Sequence, residues 1–336
     1  MYRPVALIAF AASTVLALAL VGGFFGQVHP ALDSLAHFRI HLAAALIVTA
    51  VPLVAARGFR WNGVLSAALG AWAIVNVTGL PFSVQASHGP KDETSPVYRL
   101  MHLNLRYDNP EPGQVLSLIG RTRPDVLTLN EVSPMWAKKL DLLAGSYPYR
   151  VICRIDNHAG GVAILSLRPF ADGVEGTCLE GGTFATATID LGGRFVEIAA
   201  LHLHWPWPSD QADQIGDLTP LLGRLADTSI LAGDLNATPW SAASARVAAA
   251  AAMVPVGPDG PTWLYRKLPA FLRFAGLPID RIFAKGDVIV HSVETRDAVG
   301  SDHLPVLVEF SLKPAEPEDD DAPRTATASL AQAPLY

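Results

Sequence analysis

Three long apolar runs dominate the first quarter of the chain, at about residues 5–25, 40–57 and 63–82. A helix needs roughly 20 apolar residues, with about 17 as the lower limit, to cross the hydrocarbon core of a bilayer. Each run meets this length, and the second meets it most narrowly because His41 and Pro52 lie within it. The pattern therefore predicts a membrane region over residues 1–84 with three transmembrane helices.

A cleaved signal peptide followed by buried helices is the alternative explanation of the first run. The two further runs and their small residues favour helix packing in lipid over that alternative. Arg57 and Arg60 in the loop between the second and third runs, together with Arg3, place this end in the cytoplasm by the positive-inside rule. Arg39, between the first two runs, favours the opposite orientation. The balance predicts that the rest of the chain lies outside the cytoplasm.

The remainder of the chain divides into a linker, one domain and a tail. Residues 85–96 are polar and rich in turn-forming residues, which is typical of a linker. Residues 313–336 include an acidic run and little that could pack, so they are predicted to form a disordered acidic tail. Residues 97–312 have the length of one ordinary domain.

Short apolar segments within this domain are predicted strands. They are Val97–Leu105, Asp125–Leu129, Gly161–Leu167, Thr183–Ile189, Arg194–Leu201, Ser229–Ala232, Ile279–Phe283 and Leu304–Phe310. One helix is predicted to begin at Val115–Gly120 and another to cover Ser241–Met253. Many strands with few helices predict an α/β (α+β) fold behind the three transmembrane helices, a four-layered sandwich of two packed β-sheets flanked by helices.

Composition excludes several classes of protein. Half of the residues are hydrophobic and 17% are charged, with mean hydropathy +0.29, which is too apolar for a disordered chain. There are 25 basic and 31 acidic residues, which argues against electrostatic coating of nucleic acid. The two cysteines, Cys153 and Cys178, exclude a disulfide-rich scaffold and a four-cysteine zinc site. They could form one disulfide outside the cytoplasm or remain buried thiols.

Polar residues recur where the predicted strands end. They are Asn104, Glu131, His202, Asp234, Asn236, Asp280, Asp302 and His303. Each alone is explained by a turn or a helix cap. Their repetition at successive strand ends predicts one shared cleft.

The chain resembles the endonuclease/exonuclease/phosphatase superfamily, whose fold is similar to that of deoxyribonuclease I. The matching stretches are HLNLRYDN, RPDVLTLNEV, GGVAILSLRPF, AALHLHWP, ILAGDLNATPW, LPIDRIF and GSDHLPVLVEF. They run in family order from about residue 99 to 310, and Asn130 stands where the family usually has glutamine. The amino-terminal region is similar to a membrane-anchored bacterial branch, which implies a multi-pass inner-membrane protein with a periplasmic catalytic domain.

The resemblance implies hydrolysis of a phosphodiester or phosphomonoester by metal-assisted attack of water. Mg²⁺, with Mn²⁺ as a substitute, would neutralise charge on the phosphate oxygens, and it binds carboxylate oxygens. Glu131 is expected to be the main metal ligand, supported by Asn104, with Asp302 as a further ligand.

The same resemblance implies roles for the other strand-end residues. Asp234 is expected to position and deprotonate the attacking water, and Asn236 to hold the phosphate or that water. Asp280 would orient His303 as a charged imidazole. His202 would contact the phosphate or assist the leaving group.

Two histidine predictions are negative. For His204 a neighbouring, non-catalytic role is favoured. A structural zinc site is disfavoured because the histidine spacing lacks a tetrahedral ligand set.

The substrate is less well defined. Trp205, Trp207 and Arg266 belong to aromatic and basic stretches that suit a membrane interface, so they are expected to bind substrate, with a lipid headgroup phosphate preferred. Loop packing and a solvated basic face explain the same residues.

An extracytoplasmic endonuclease or exonuclease that stacks DNA or RNA bases is the alternative function. A catalytically silent scaffold is disfavoured because every strand-end residue is present. Membrane lipids are the expected partners, and no protein partner is evident.

Overall fold

The computed structural model describes residues 3–78, 95–155, 160–173, 175–258 and 260–314. These residues form a helical unit at the amino terminus and a β-sandwich after it. The predicted linker and the predicted tail lie outside the described residues, apart from two residues of each, so both remain predictions.

Four helices form the helical unit. They are α1 (Arg3–Gly22), α2 (Pro30–Ala36), α3 (Arg39–Ala55) and α4 (Arg60–Thr78), with a 3-10 turn at Gly23–Phe25. α1 and α4 pack against α3 around a small apolar cluster that includes Leu20, Leu46 and Ala73. Gly70 lets α3 and α4 approach closely, because a Cβ there would lie 2.8 Å from the carbonyl oxygen of Ala43.

The prediction of three transmembrane helices is not supported. Among the described residues, one helical stretch, Arg3–Phe25, is long and apolar enough to cross a membrane or to be a signal sequence. A second candidate exists only if α2 and α3, which are bent by 66° relative to each other, count as one broken span. α3 has 17 residues with Pro52 inside it, and α4 includes Arg60, Asn62 and Asn76. Shorter and more polar helices therefore replace two of the predicted spans.

Two six-stranded sheets form the sandwich. The first contains β1 (Tyr98–Asn104), β2 (Val126–Val132), β3 (Tyr149–Ile152), β4 (Gly161–Ser166), β11 (Val288–Thr295) and β12 (Val306–Leu312). The second contains β5 (Thr177–Leu179), β6 (Phe184–Asp190), β7 (Phe195–His202), β8 (Ser229–Asp234), β9 (Val254–Pro255) and β10 (Asp280–Lys285). Their spatial orders are β11-β12-β1-β2-β4-β3 and β5-β6-β7-β8-β10-β9.

The main core lies between the sheets. Alternate residues of each strand point inward, so Leu100 and Val126 of the first sheet face the same apolar layer as Ile198 and Ala232 of the second. The intervening residues, such as Leu127 and Leu231, pack outward under helices. Four helices lie outside the sheets: α5 (Pro112–Thr122), α6 (Pro134–Leu140), α7 (Gln211–Leu222) and α8 (Ala242–Ala251). The predicted sandwich of two sheets flanked by helices is confirmed.

Cys153 and Cys178 form a disulfide bond. Cys153 follows β3 of the first sheet, and Cys178 lies in β5 of the second. The bond therefore joins the two sheets at one end of the sandwich. The cysteines form the disulfide that the sequence left open, and they are not free thiols.

Candidate active site

One edge of the sandwich collects the strand ends that carry polar residues. β1 and β2 run parallel in the first sheet, and β7 and β8 run parallel in the second. Asn104, Asn130, His202 and Asp234 occupy their carboxyl ends in register, since Asn104 pairs with Asn130 and His202 with Asp234. β10 is antiparallel to β8, so its first residue, Asp280, meets the same edge opposite Asp234. The topology thus explains why residues far apart in sequence share one cleft.

Asp234 lies at the centre of this site and is 1% exposed. Its Oδ1 accepts a hydrogen bond of 2.8 Å from the backbone N–H of Asn236. Its Oδ2 accepts one of 3.0 Å from Nδ2 of Asn104. The same oxygen lies 3.7 Å from Nε2 of His202 and 3.6 Å from Nε2 of His303. Two imidazoles and an amide therefore converge on one carboxylate oxygen.

Asp280 and His102 form a buried hydrogen-bonded chain that supports His303. Nδ1 of His303 lies 2.8 Å from Oδ2 of Asp280, and Nε2 of His102 lies 3.2 Å from Oδ1 of the same carboxylate. A carboxylate accepts hydrogen bonds only, so both imidazoles donate to it. Nε2 of His303 is left free to face Asp234.

Burial and neighbouring charges set opposite protonation states in this cluster. Burial would lower the pKa of His303, but the carboxylates of Asp280 and Asp234 outweigh it and raise that pKa to about 10. Burial would likewise raise the pKa of Asp280, yet His303 and the hydrogen bond from His102 hold it below its usual value. Asp280 and His303 therefore form an ion pair at neutral pH.

The pKa values of Asp234 and His202 shift in the directions opposite to those of Asp280 and His303. Burial, reinforced by the charge of Asp280, raises the pKa of Asp234 to about 6. Burial also lowers the pKa of His202 to about 4, against the attraction of Glu131. His202 is thus neutral at pH 7, and Asp234 has the near-neutral pKa that suits a general base.

Glu131 is held in a strained backbone conformation at the other side of the cleft. Its φ is +57°, in the left-handed region that a residue with a Cβ adopts at a cost, and the pairing of β2 with β4 is irregular there. Its Oε1 accepts a hydrogen bond of 3.0 Å from Nδ2 of Asn104, and its Oε2 accepts one of 2.8 Å from the backbone N–H of Tyr107. Each oxygen keeps a lone pair for a further partner.

Asn104 joins the two carboxylates, because its Nδ2 donates to both Glu131 and Asp234. Asn236 also has a left-handed φ, +47°, and its Nδ2 donates to the carbonyl oxygen of Leu203 at 2.8 Å. Both asparagines are buried and fixed by these bonds. Their positions agree with the supporting roles predicted for them, and the roles themselves remain predictions.

Asp302 and His303 arrive together on the segment before β12. Oδ2 of Asp302 accepts a hydrogen bond of 3.1 Å from Nε1 of Trp263. Ser301 accepts one from the backbone N–H of His303 and donates another to the carbonyl oxygen of Asn104. This serine therefore fixes the segment against the end of β1.

The cleft above these residues has a volume of about 300 Å³. Four carboxylates line it, those of Glu131, Asp210, Asp234 and Asp302, and no lysine or arginine lies among its described lining residues. A phosphate ester would be repelled by such a surface unless a cation offset the negative charge. Carboxylate oxygens are the ligands that Mg²⁺ and Mn²⁺ prefer, and those of Glu131 and Asp302 both line the cleft, so the residues present fit a divalent cation.

A second cation position is possible on distance alone. Ligand atoms of Asp234, Asp280 and His303 all lie within 4.8 Å of one another. Both oxygens of Asp280 already accept hydrogen bonds from His102 and His303, and a protonated imidazole cannot bind a metal. The closeness of these three groups is thus explained by their ion pairing, which favours the cation position near Glu131.

Of the five residues predicted to bind substrate, His202 and Asn236 line the cleft, whereas the two tryptophans and the arginine do not lie together. Trp205 lines the cleft, with its ring centroid 6.0 Å from that of Trp263. Trp207 lies beside α2, where its carbonyl oxygen accepts a hydrogen bond from Ser34. Arg266 pairs with Asp108 at 3.2 Å and is absent from the described lining of the cleft. Trp205 alone of the three is positioned to touch a ligand in the cleft.

Two residues at the site carried no predicted role. His102 precedes Asn104 by two positions on β1, so the alternation of a strand places both on one face, and this signal could have identified it. Asn130 accepts a hydrogen bond from the backbone N–H of Asp234 and donates one to the carbonyl oxygen of Leu201. It thereby ties β2 to the second sheet directly beneath the catalytic edge.

Comparisons with known proteins agree with this site. A model of the Endonuclease/Exonuclease/phosphatase family matches residues 101–303, which is more than half of the chain and contains most of the cleft residues. No curated protein matches the chain.

Solved structures share the fold at low sequence identity. An endonuclease/exonuclease/phosphatase from Beutenbergia cavernae DSM 12333 is 23% identical over 65% of this chain and 72% of that one, with a TM-score of 0.53. A structure of the same description from Bacteroides vulgatus is 18% identical over 65% of this chain and all of that one, with a TM-score of 0.53. D. rerio TDP2 complexed with a single-strand DNA product is 18% identical over 64% of this chain and 99% of that one, also with a TM-score of 0.53.

Proposed function

Because the chain belongs to the Endonuclease/Exonuclease/phosphatase family and is a hydrolase of phosphate ester bonds, we propose that it uses the Asp234 cleft for this reaction with Mg²⁺ bound. One observation carries the proposal: the described lining of the cleft combines four carboxylates with the paired imidazole of His303 and contains no lysine or arginine. Such a lining needs a bound cation before a phosphate can enter.

In this proposal Asp234 positions a water molecule and accepts its proton. Its buried carboxylate has a pKa of about 6, so it is ionised at pH 7 and still basic enough to take up a proton. Nδ2 of Asn104 and the backbone N–H of Asn236 each hold one oxygen of the carboxylate in place. The oxygen that faces the imidazoles is therefore fixed in orientation toward the cleft.

His303 supplies positive charge to the phosphate, and Asp280 keeps it protonated. His202 faces the same oxygen of Asp234 as a neutral imidazole that can donate a hydrogen bond to a phosphate or leaving-group oxygen. Asn236 lines the same cleft and is proposed to bind the phosphate or the attacking water.

Glu131 is the proposed principal ligand of the cation, and Asp302 a further one. A bound Mg²⁺ would neutralise charge that develops on the phosphate oxygens. Asn104 supports this position because it holds Oε1 of Glu131, while the backbone N–H of Tyr107 holds Oε2. The strained φ of Glu131 is consistent with a backbone that aims this side chain into the cleft.

We also propose that α1 anchors the protein in a membrane. Ile8 and Leu18 of α1 are each 70% exposed, and Val48 of α3 is 69% exposed, although all three are large apolar side chains. Leu20 of α1 belongs to the buried cluster between the helices, so cleavage of α1 as a signal sequence would open that cluster. The disulfide favours an oxidising compartment for the β-sandwich, in agreement with an extracytoplasmic position.

By sequence, Arg39 favoured the opposite membrane orientation, but its side chain is occupied by contacts within the helical unit. Its Nη2 donates to the carbonyl oxygen of Gly23 at 2.6 Å, and its guanidinium lies 4.1 Å from the ring centroid of Phe24. The charge is therefore buried within the helical unit. Arg57 and Arg60, in the turn at the opposite end, remain as flanking charges for the positive-inside rule.

A nuclease is the second candidate function. Trp205 and Trp263 meet edge to face at the mouth of the cleft, and such rings can stack a nucleotide base. Hydrolysis of single-stranded DNA or RNA in preference to phospholipid would favour this candidate.

The test is hydrolysis of bis-(p-nitrophenyl) phosphate by the full chain in detergent, with and without Mg²⁺ or Mn²⁺. We expect metal-dependent turnover that falls by about 100- to 10,000-fold in Asp234→Ala. The matched control is Asp217→Ala, which removes an exposed carboxylate of α7 and should leave the rate unchanged. Turnover without metal, or equal rates for Asp234→Ala and the control, would contradict the proposal. Phosphomonoesters tested in parallel would separate a phosphatase from a diesterase.

A further inference from the structure

The helical unit is docked on the β-sandwich through a buried carboxylate. Asp33 of α2 is 7% exposed, and its two oxygens accept hydrogen bonds from the backbone N–H groups of Ala242, at 2.7 Å, and Ala243, at 2.9 Å. These N–H groups open α8, where the helix dipole favours a negative charge. α2 therefore supplies the amino-terminal anion of a helix in the other part of the molecule.

Further contacts surround this carboxylate. Nε1 of Trp240 donates to the carbonyl oxygen of Ala36 at 2.7 Å. Nδ1 of His37 accepts a hydrogen bond of 3.3 Å from the backbone N–H of Thr238, which follows Asn236 of the active site by two residues. The contact is thus specific and partly buried, and it fixes how the sandwich sits relative to the end of α1.

A second docking point joins α3 to the 3-10 helix Ala270–Ala275. Nε2 of His41, in the first turn of α3, lies 2.7 Å from the carbonyl oxygen of Ala275. Ala275 ends the 3-10 helix Ala270–Ala275, whose Arg273 donates to the carbonyl oxygen of the candidate ligand Asp302. The beginning of α3 is therefore linked, through Ala275 and Arg273, to the segment that carries Asp302 at the cleft.

Large apolar side chains are exposed on the segments that these docking contacts join. We call them the interfacial patch, which consists of Phe25, Val28, Phe38, Trp207, Phe271 and Phe274. Phe271, Phe274 and Val28 are each 76% exposed, which is unusual for side chains of this size in water. The patch thus includes residues of the chain after α1, the residue before α3 and two segments of the β-sandwich.

We propose that the interfacial patch lies in the headgroup region of the phospholipid bilayer that holds α1, so that the cleft takes a phosphate ester presented at the bilayer surface. The proposal rests on the proposed function, and it names the substrate class of that site as a membrane lipid. Three observations support a bilayer as the occupant: the patch adjoins the helical stretch able to span a membrane, the docking contacts fix it there, and Lys267 and Arg273 lie on the segment that carries Phe271 and Phe274. Aromatic rings with neighbouring cations are typical of residues that lie at lipid phosphates.

The position of the patch can be tested without activity. The full chain carries its two cysteines as a disulfide, so Phe274→Cys introduces one reactive thiol for an environment-sensitive fluorophore. The matched control is Phe195→Cys, since Phe195 is 55% exposed and begins β7, at the end of that strand opposite His202. Both proteins are reconstituted in vesicles of phosphatidylcholine and phosphatidylglycerol that contain a spin-labelled lipid quencher.

We expect the lipid quencher to reduce fluorescence at position 274 by about twofold or more, with little effect at position 195. Asp33→Ala should reduce this difference, because it removes both acceptor oxygens at α8 and weakens the docking of the sandwich on the helical unit. Equal quenching at the two positions, or none at 274, would overturn the proposal.

An activity test separates failure of this inference from failure of the proposed function. In the double variant Phe271→Ser/Phe274→Ser, hydrolysis of vesicle phospholipid should fall by about tenfold, while hydrolysis of soluble bis-(p-nitrophenyl) phosphate stays at the unsubstituted rate. Phe195→Ser is the control for both substrates. If the double variant keeps both rates, the inference about the patch is overturned, while the proposed function stands. Absence of metal-dependent hydrolysis of the soluble ester by the unsubstituted chain would overturn the proposed function, whereas the quenching result would still decide the position of the patch.

Discussion

Nδ1 of His303 donates a hydrogen bond of 2.8 Å to Oδ2 of Asp280, and both side chains are buried. The two buried carboxylates at the catalytic edge, Asp280 and Asp234, have pKa values shifted in opposite directions. Asp280 stays ionised because it faces two imidazoles, while the pKa of Asp234 rises to about 6 because burial outweighs the single protonated imidazole near it. The site thereby contains a permanent ion pair next to a base that can exchange protons at neutral pH.

His303→Ala should lower kcat by about 100-fold or more, because it removes the positive charge that faces the phosphate and leaves Asp280 buried without its main partner. Circular dichroism would check that the variant remains folded. His291→Gln, at a half-buried position on β11 far from the catalytic edge, is the control and should retain full activity. Comparable kcat values for the two variants would refute a catalytic role for His303.

Glu131→Gln should raise the Mg²⁺ concentration needed for half-maximal activity by about tenfold or more. Glutamine keeps an oxygen that can accept from Asn104 and loses the negative charge that attracts the cation, so KM for the substrate should change less. Activity measured as a function of Mg²⁺ at saturating substrate provides the comparison. An unchanged Mg²⁺ requirement would exclude Glu131 as a ligand.

His102 is a positioning residue, since it contacts Asp280 and acts on His303 only through that carboxylate. His102→Ala should lower kcat by about tenfold with little change in KM, which corresponds to the loss of one hydrogen bond to a charged group. His102→Gln, whose amide N–H can still reach Asp280, should recover part of the loss. A merely structural defect would lower the melting temperature of both variants without distinguishing their kcat values.

Much of the fold was predictable because buried strands carry a strong pattern. Among the described residues, eight of the twelve strands coincide with predicted apolar segments, and residues at or near the ends of these strands form the catalytic edge. The missed strands β3, β5 and β9 are short and β11 is an edge strand, where alternation is brief or half-exposed. α7 was missed because Gly216 and Pro220 weaken its helical pattern.

Contacts between distant segments could not be predicted in the same way. Asp33 and His37 lie in the short segment between the first two apolar runs, and only the packing of α2 on α8 shows their use. The number of membrane spans was overestimated because length was counted without the bounds of the helices. α3 has 17 residues, and α4 begins at Arg60 and includes Asn62, so neither passes alone as long and apolar enough to cross a membrane. The pattern of apolar residues indicates which side chains are buried, whereas the hydrogen-bond partners of a side chain depend on the tertiary structure.

Docking of the helical unit should weaken in mild acid because of His37. This residue is 4% exposed, its Nδ1 accepts from Thr238, and its Nε2 has no hydrogen-bond partner among the described residues. Burial lowers the pKa of His37 to about 4, with Asp33 opposing the shift and Arg39 adding to it. The folded protein therefore excludes a proton that the unfolded chain binds below the ordinary histidine pKa of 6.5. The free energy of unfolding should fall as the pH drops from 6.5 toward 4, by about 3 kcal/mol in full.

His37→Asn provides the control, since an asparagine Oδ1 can accept the same bond from Thr238 but does not titrate in this range. Thermal unfolding of the full chain in detergent should show a melting temperature that decreases more between pH 7 and pH 5 for the histidine protein than for His37→Asn. Parallel pH profiles for the two proteins would mean that His37 does not set the acid sensitivity of this contact. A steeper profile for the histidine protein, accompanied by loss of the lipid quenching at position 274, would show that the same contact holds the cleft at the membrane surface.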